Sequence, residues 1–143
     1  MTDALDQKYN IITCAREEHW KVCVYGLGYL GQRLYRLVPD IFGLAPQFYS
    51  DGNDEKVDAA GYDGITALYK KDLLAIEEPV LVFVLADNPV DREIEKMLLK
   101  NHNLHIVLLR EVIQMDETIR SFYGEELYDM YVKLTDYSRE KVQ

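Results

Sequence analysis

Positive charge is scarce in this chain. Its 143 residues carry 16 Lys and Arg against 25 Asp and Glu, a formal net charge of −9. A surface this acidic repels phosphate backbones, so nucleic acid is not an expected partner. Cysteine is sparse too. Cys14 and Cys23 are the two in the chain, and their spacing is that of neither a metal site nor a redox pair. Cys23 falls in an apolar run and is expected to be a small core residue, which fits a reducing cytoplasm. The three histidines, His19, His102 and His105, have no carboxylate or cysteine at ligand spacing, so no metal site is expected. Long apolar runs are missing. The longest, Pro79 to Ala86, falls far short of the roughly 20 residues that span a bilayer, and no membrane association is expected. The opening Met1-Thr2-Asp3-Ala4-Leu5-Asp6 has no basic segment ahead of an apolar stretch, so it does not read as a signal peptide. There is no internal repeat and no low-complexity tract. What remains, 48% hydrophobic and 29% charged residues, is the composition of one globular domain with a real core.

The informative segment lies between residues 22 and 31. The apolar run Val22-Cys23-Val24-Tyr25 breaks into Gly26-Leu27-Gly28-Tyr29-Leu30-Gly31, and Asp51 closes a second apolar run, Phe48-Tyr49, twenty positions after the last glycine. Strand, glycine turn, helix, strand, carboxylate is the order of a dinucleotide-binding fingerprint. Gly26 allows the sharp turn off the strand, Gly28 lets a pyrophosphate approach the main chain, and Gly31 lets the helix pack close to the sheet. The helix would aim free N–H groups and its positive dipole end at the phosphates. Asp51 would accept hydrogen bonds from both ribose hydroxyls. Gly52-Asn53-Asp54 follows it without Arg or Lys, so NAD is favoured over NADP. The competing reading is a turn that only packs helix against sheet.

Other segments supply the frame. Thr2 or Asp3 caps a first helix with Leu5, Tyr9 and Ile12 on one face. Trp20 to Tyr25 is the first strand. Leu30, Leu34, Leu37 and Val38 face inward from the helix that Pro39 ends or kinks. A loop occupies 51–64, a short strand Ile65 to Leu68, and a helix about Lys70 to Ile76. Pro79 to Ala86 suits a central parallel strand, Asp87-Asn88-Pro89 starts a helix lined by Val90, Ile94, Met97 and Leu98, and Leu104 to Leu109 is a further strand. Val112, Met115, Ile119 and Phe122 form one helical stripe, and Leu127, Tyr131 and Leu134 another. The alternation predicts a three-layer α/β sandwich, a Rossmann-like doubly wound parallel sheet of about five strands. An N-terminal helix (1–19) precedes the nucleotide-binding domain (20–110). C-terminal helices (111–143) pack on it or lead to a further domain.

Catalytic candidates are thin. Asp87 and Asn88 follow the central strand at the carboxyl edge of the sheet, where they are either reactive or simply helix caps. Tyr137 and Lys141 have the Tyr-x-x-x-Lys spacing of short-chain dehydrogenases, with no strand after them, and read as a chance match. Arg33 either reaches a phosphate or is a solvated surface charge. Of eleven tyrosines, Tyr123, Tyr128, Tyr131 and Tyr137 cluster near the end, either as packing or as a contact surface for a second copy or a following domain.

The run Val24 to Gly31, with Phe48-Tyr49-Ser50-Asp51, Gly64-Ile65-Thr66 and the helix at Asp72-Leu73-Leu74, resembles a small Rossmann-like module of bacterial sugar and surface-polysaccharide proteins. That module precedes FkbM-type methyltransferase domains, and it is similar to nucleotide-binding domains of nucleotide-sugar epimerases and dehydratases. Leu134-Thr135-Asp136-Tyr137-Ser138-Arg139 looks like the junction before the methyltransferase domain. Leu27 stands where the family more often has a small residue, and Asp51-Gly52-Asn53-Asp54 replaces its Asp-Asn-Asn-Pro loop. The resemblance implies an N-terminal portion of a longer protein, binding NAD or a nucleotide-sugar as a sensing or positioning part. The alternatives are a minimal oxidoreductase or epimerase completed by a partner, and an interaction domain whose nucleotide site has degenerated. The candidate cofactor-binding residues are Gly26, Leu27, Gly28, Tyr29, Leu30, Gly31, Asp51, Gly52, Asp87 and Asn88.

Overall fold

Side chains pointing alternately to the two faces of three apolar strands build two cores at once. The structure, a computed structural model, describes residues 3–115. In chain order the elements are α1 (Asp3–Glu17), β1 (Lys21–Tyr25), α2 (Tyr29–Leu34), α3 (Leu37–Ile41), β2 (Phe48–Ser50), α4 (Asp54–Ala60), β3 (Thr66–Ala67), α5 (Lys70–Leu73), β4 (Val80–Val84), α6 (Val90–Leu98), β5 (Leu104–Leu108) and α7 (Leu109–Met115). Val22, Val24, Leu81, Phe83 and Val107 face one side of the sheet, where Ile12, Ala15, Leu30, Leu34 and Val112 cover them. Cys23, Tyr25, Val80, Val82, Val84, Ile106 and Leu108 face the other, against Leu73 and Leu98. Covered on both faces, these strands need continuous apolar sequence, which they have.

The five strands form one all-parallel sheet in the order β3-β2-β1-β4-β5, flanked by helices in a Rossmann-like three-layer sandwich. Chain direction across the sheet reverses at β1, and the crevice beyond the carboxyl ends of β1 and β4 is where such sheets bind ligands. At the outer edge of β5 the Lys8 ammonium donates to the Ile106 carbonyl and to Glu95 Oε2 (3.1 Å). A lysine there blunts an edge open to further strand pairing.

Three local expectations are corrected. Pro39 does not end the first helix after the glycines. It lies inside α3, and the break falls earlier, at Tyr35-Arg36. A proline ring clashes with the carbonyl four residues back, here Tyr35, so the helix yields one turn upstream while Pro39 fits the first turn of the next. Neither Asp87 nor Asn88 is the N-cap of α6: Pro89 holds that position, and within the first turn the Arg92 N–H donates to Asp91 Oδ1 at 2.8 Å. The helix expected over 70–76 keeps α-form only to Leu73, and its end tightens through Ala75 N–H to Asp72 O (3.1 Å) and Ile76 N–H to Leu73 O (3.3 Å). Thr2, Ile119, Phe122, the segment Leu127 to Leu134, the tyrosine cluster, the junction at 134–139 and Tyr137 with Lys141 lie outside the described residues.

Candidate functional site

The turn after β1 is shaped by three glycines with three different constraints. Gly26 has φ +114, and a Cβ there would lie 2.9 Å from the Leu85 carbonyl oxygen, so both conformation and space call for glycine. Gly31 is the tightest point. A Cβ on it would lie 1.7 Å from the Gly26 carbonyl oxygen, so α2 packs directly on the turn. Gly28 differs from both. A Cβ on it would meet nothing within 4 Å, so the backbone there faces open space. Gly28 is also the N-cap of α2, and no side chain caps that helix.

Asp51 is tied to this turn. Its Oδ2 accepts the Leu27 N–H at 2.7 Å and its Oδ1 the Asn53 N–H at 2.9 Å. Sequence reasoning assigned this carboxylate to a ribose; its first task in the fold is to clamp the glycine turn to the end of β2. Each oxygen retains a lone pair for a hydroxyl, since a carboxylate has about four acceptor sites. Leu27 itself is buried at 3% exposure with its N–H already taken, so it shapes the turn rather than presenting a group to a ligand.

Above these residues opens a cleft of about 390 Å³. Tyr25, Gly26, Gly28, Tyr29 and Leu30 form one wall, Asp51 and Gly52 the end of β2, and Leu85, Ala86 and Asp87 the end of β4, with Val90 and Ile94 of α6 opposite. Tyr29 is 52% exposed at the mouth, and the Arg33 guanidinium lies 4.3 Å over its ring. That contact accounts for Arg33, which the sequence left between phosphate and solvent. The Tyr25 phenol is pushed up from its ordinary value by burial first and then by the Asp51 carboxylate, so it stays a neutral hydroxyl at the cleft floor.

Of the ten expected cofactor residues, Gly26, Gly28, Tyr29, Leu30, Asp51, Gly52 and Asp87 line the cleft, whereas Leu27, Gly31 and Asn88 do not. Asn88 instead accepts from Arg110 Nη2 at 3.0 Å. Arg110 also grips Asp91, with Nε 2.6 Å from Oδ2 and Nη2 on Oδ1. Asp91 has no solvent exposure, and this pair joins the start of α6 to the start of α7. The sequence held a signal for it: Asp91 falls on the same helical stripe as Ile94 and Leu98, where a carboxylate needs a buried partner. Val90, expected to line this helix, is 46% exposed at the cleft, whereas Ile94 both lines the cleft and packs against the core on the Leu98 face.

No group of three or more His, Cys, Asp or Glu side chains is placed to hold a metal among the described residues. No described helix is long and apolar enough to cross a membrane. No family model, curated protein or solved structure matches this chain.

Proposed function

We propose that the cleft binds a nucleotide, NAD or a nucleotide-sugar, and that the domain serves as a binding or regulatory module of a sugar- or polysaccharide-modifying protein. The observation that carries this reading is the contrast among the glycines. Two are required by close packing, while Gly28 opens onto the cleft where a diphosphate could lie against main chain. The apolar wall of Leu85, Val90 and Ile94 suits a base, and the spare lone pairs of Asp51 suit ribose hydroxyls. Seen this way, the site's own residues bind and orient, and chemistry is supplied by an attached methyltransferase domain or a partner, reached through the C-terminal residues.

A thermal-shift screen with NAD, NADP, UDP-glucose and S-adenosylmethionine tests it, because a ligand that binds only the native state raises Tm with concentration. NAD or UDP-glucose should raise Tm, and Gly28→Val should abolish the rise while lowering the ligand-free Tm by only a few degrees, through a weaker N-cap. Gly28 is a cleaner probe than Asp51, whose loss would strand the Leu27 and Asn53 amides. Hydride transfer by the purified protein would favour the oxidoreductase alternative. Silence with every ligand would favour an interaction domain.

A further inference from the structure

We propose that the Tyr25 hydroxyl, at the end of β1, donates a hydrogen bond to the base of the bound nucleotide, a contact that the glycine turn and Asp51 do not supply. This rests on reading the cleft as a nucleotide site. Tyr25 lines the cleft with 2% of its surface exposed. Its hydroxyl makes no hydrogen bond among the described residues. The hydroxyls of Ser50 and Tyr62 also lack partners among those residues, but both are sealed from any ligand. The Tyr25 hydroxyl is not. Gly52, another cleft residue, stands beside it. A Cβ on Gly52 would lie 3.3 Å from the phenol oxygen, and the missing side chain leaves that oxygen uncovered on the cleft side.

The two faces of the sheet assign this hydroxyl to the base rather than to the diphosphate. Tyr25 belongs to the face covered by α6, with Ile94 and Leu98. Helix α2, which begins beside Gly28, packs on the opposite face through Leu30 and Leu34. A diphosphate over Gly28 therefore lies across the sheet edge from Tyr25, whereas a base against Val90 and Ile94 lies on its side. Burial and the nearby Asp51 carboxylate hold the phenol protonated, so it has a proton to donate. Nucleobases offer ring-nitrogen and carbonyl acceptors for it. A buried hydroxyl without a partner costs the folded protein free energy. A ligand acceptor relieves that cost, so the group contributes to binding and not to folding.

Isothermal titration of the natural protein and of Tyr25→Phe with NAD, ADP, UDP-glucose and UDP tests this. Each ligand that binds the natural protein should bind Tyr25→Phe about tenfold more weakly, the loss expected when a base acceptor is left without its donor. The factor should be the same for ADP as for NAD, or for UDP as for UDP-glucose, because each pair shares its base. Ligand-free Tyr25→Phe should melt at or slightly above the Tm of the natural protein, since no hydrogen bond within the fold is lost. Unchanged affinities, or a loss with NAD or UDP-glucose that ADP or UDP does not share, overturn the proposal while the cleft reading stands. A ligand-free Tm several degrees lower in Tyr25→Phe reveals a partner for the hydroxyl within the fold and overturns it as well. Absence of binding by all four ligands overturns both.

Discussion

Gly28 and Gly31 are three residues apart and look alike in sequence, yet the fold asks opposite things of them. A methyl group at Gly31 collides with the Gly26 carbonyl, and α2 can relieve that only by moving off the sheet. Gly31→Ala should therefore cost about 3 kcal/mol or more, the upper range for overpacking. Gly28→Ala meets open space and should cost under about 1 kcal/mol, mostly as a weaker N-cap. Urea denaturation of the two variants checks the contrast, and equal losses would contradict it. His105 offers a different test. Its ring stacks on Trp20 at 4.6 Å, and burial lowers its pKa from 6.5. As pH falls through 6.5, the unfolded chain takes up a proton that the folded imidazole resists, so stability declines until pH passes below the folded value. His105→Phe keeps a ring against Trp20 and removes that slope. Between pH 7 and 5 the natural protein should lose stability relative to the variant, and parallel urea midpoints would count against the assignment. Gly26 and Gly31 were legible because backbone geometry restricts the residue, and Gly28 only through its spacing between them. Asp51 was legible only in position: a carboxylate after a strand accepts equally from a ribose hydroxyl or a main-chain amide, and the structure shows two amides there first.

Helices α6 and α7 begin side by side at the carboxyl edge of the sheet, joined by Asp91 and Arg110. Removing one partner of such a pair leaves the other charge without compensation, at a cost of about 3–5 kcal/mol. Arg110→Met strips the counter-charge from a carboxylate with no solvent exposure and should approach that cost. The double variant Asp91→Leu with Arg110→Met should be less destabilised than Arg110→Met alone, because apolar packing replaces a buried ion pair at little net loss. A double-mutant cycle by urea denaturation measures this, and simple additivity would contradict it. The sequence signalled that Asp91 needs a buried partner but not which one, because the pairing depends on two helices nineteen residues apart meeting across a strand end. The interruption between α2 and α3 was half visible: Pro39 signalled a break, and the clash with Tyr35 set it a turn earlier.

Across the entire domain, the sheet was readable because both faces are covered. β1, β4 and β5 then appear as unbroken apolar stretches, and helix-forming segments between them dictate parallel pairing. The cleft's far wall was not readable in the same way. Val90 and Ile94 carry helical spacing, and only the placement of α6 against β4 and β5 brings both to the cleft while Ile94 keeps a side on the core. The acidic surface and the glycine turn are compatible, since main-chain amides attract phosphate without lysine or arginine. Backbone amide NMR during titration with UDP-glucose and NAD observes the site directly. Nucleotide binding over the turn predicts saturable shifts concentrated at Gly28, Tyr29, Gly52 and Ala86, absent in Gly28→Val. Saturation without change at those amides, or shifts confined to another face, would contradict it.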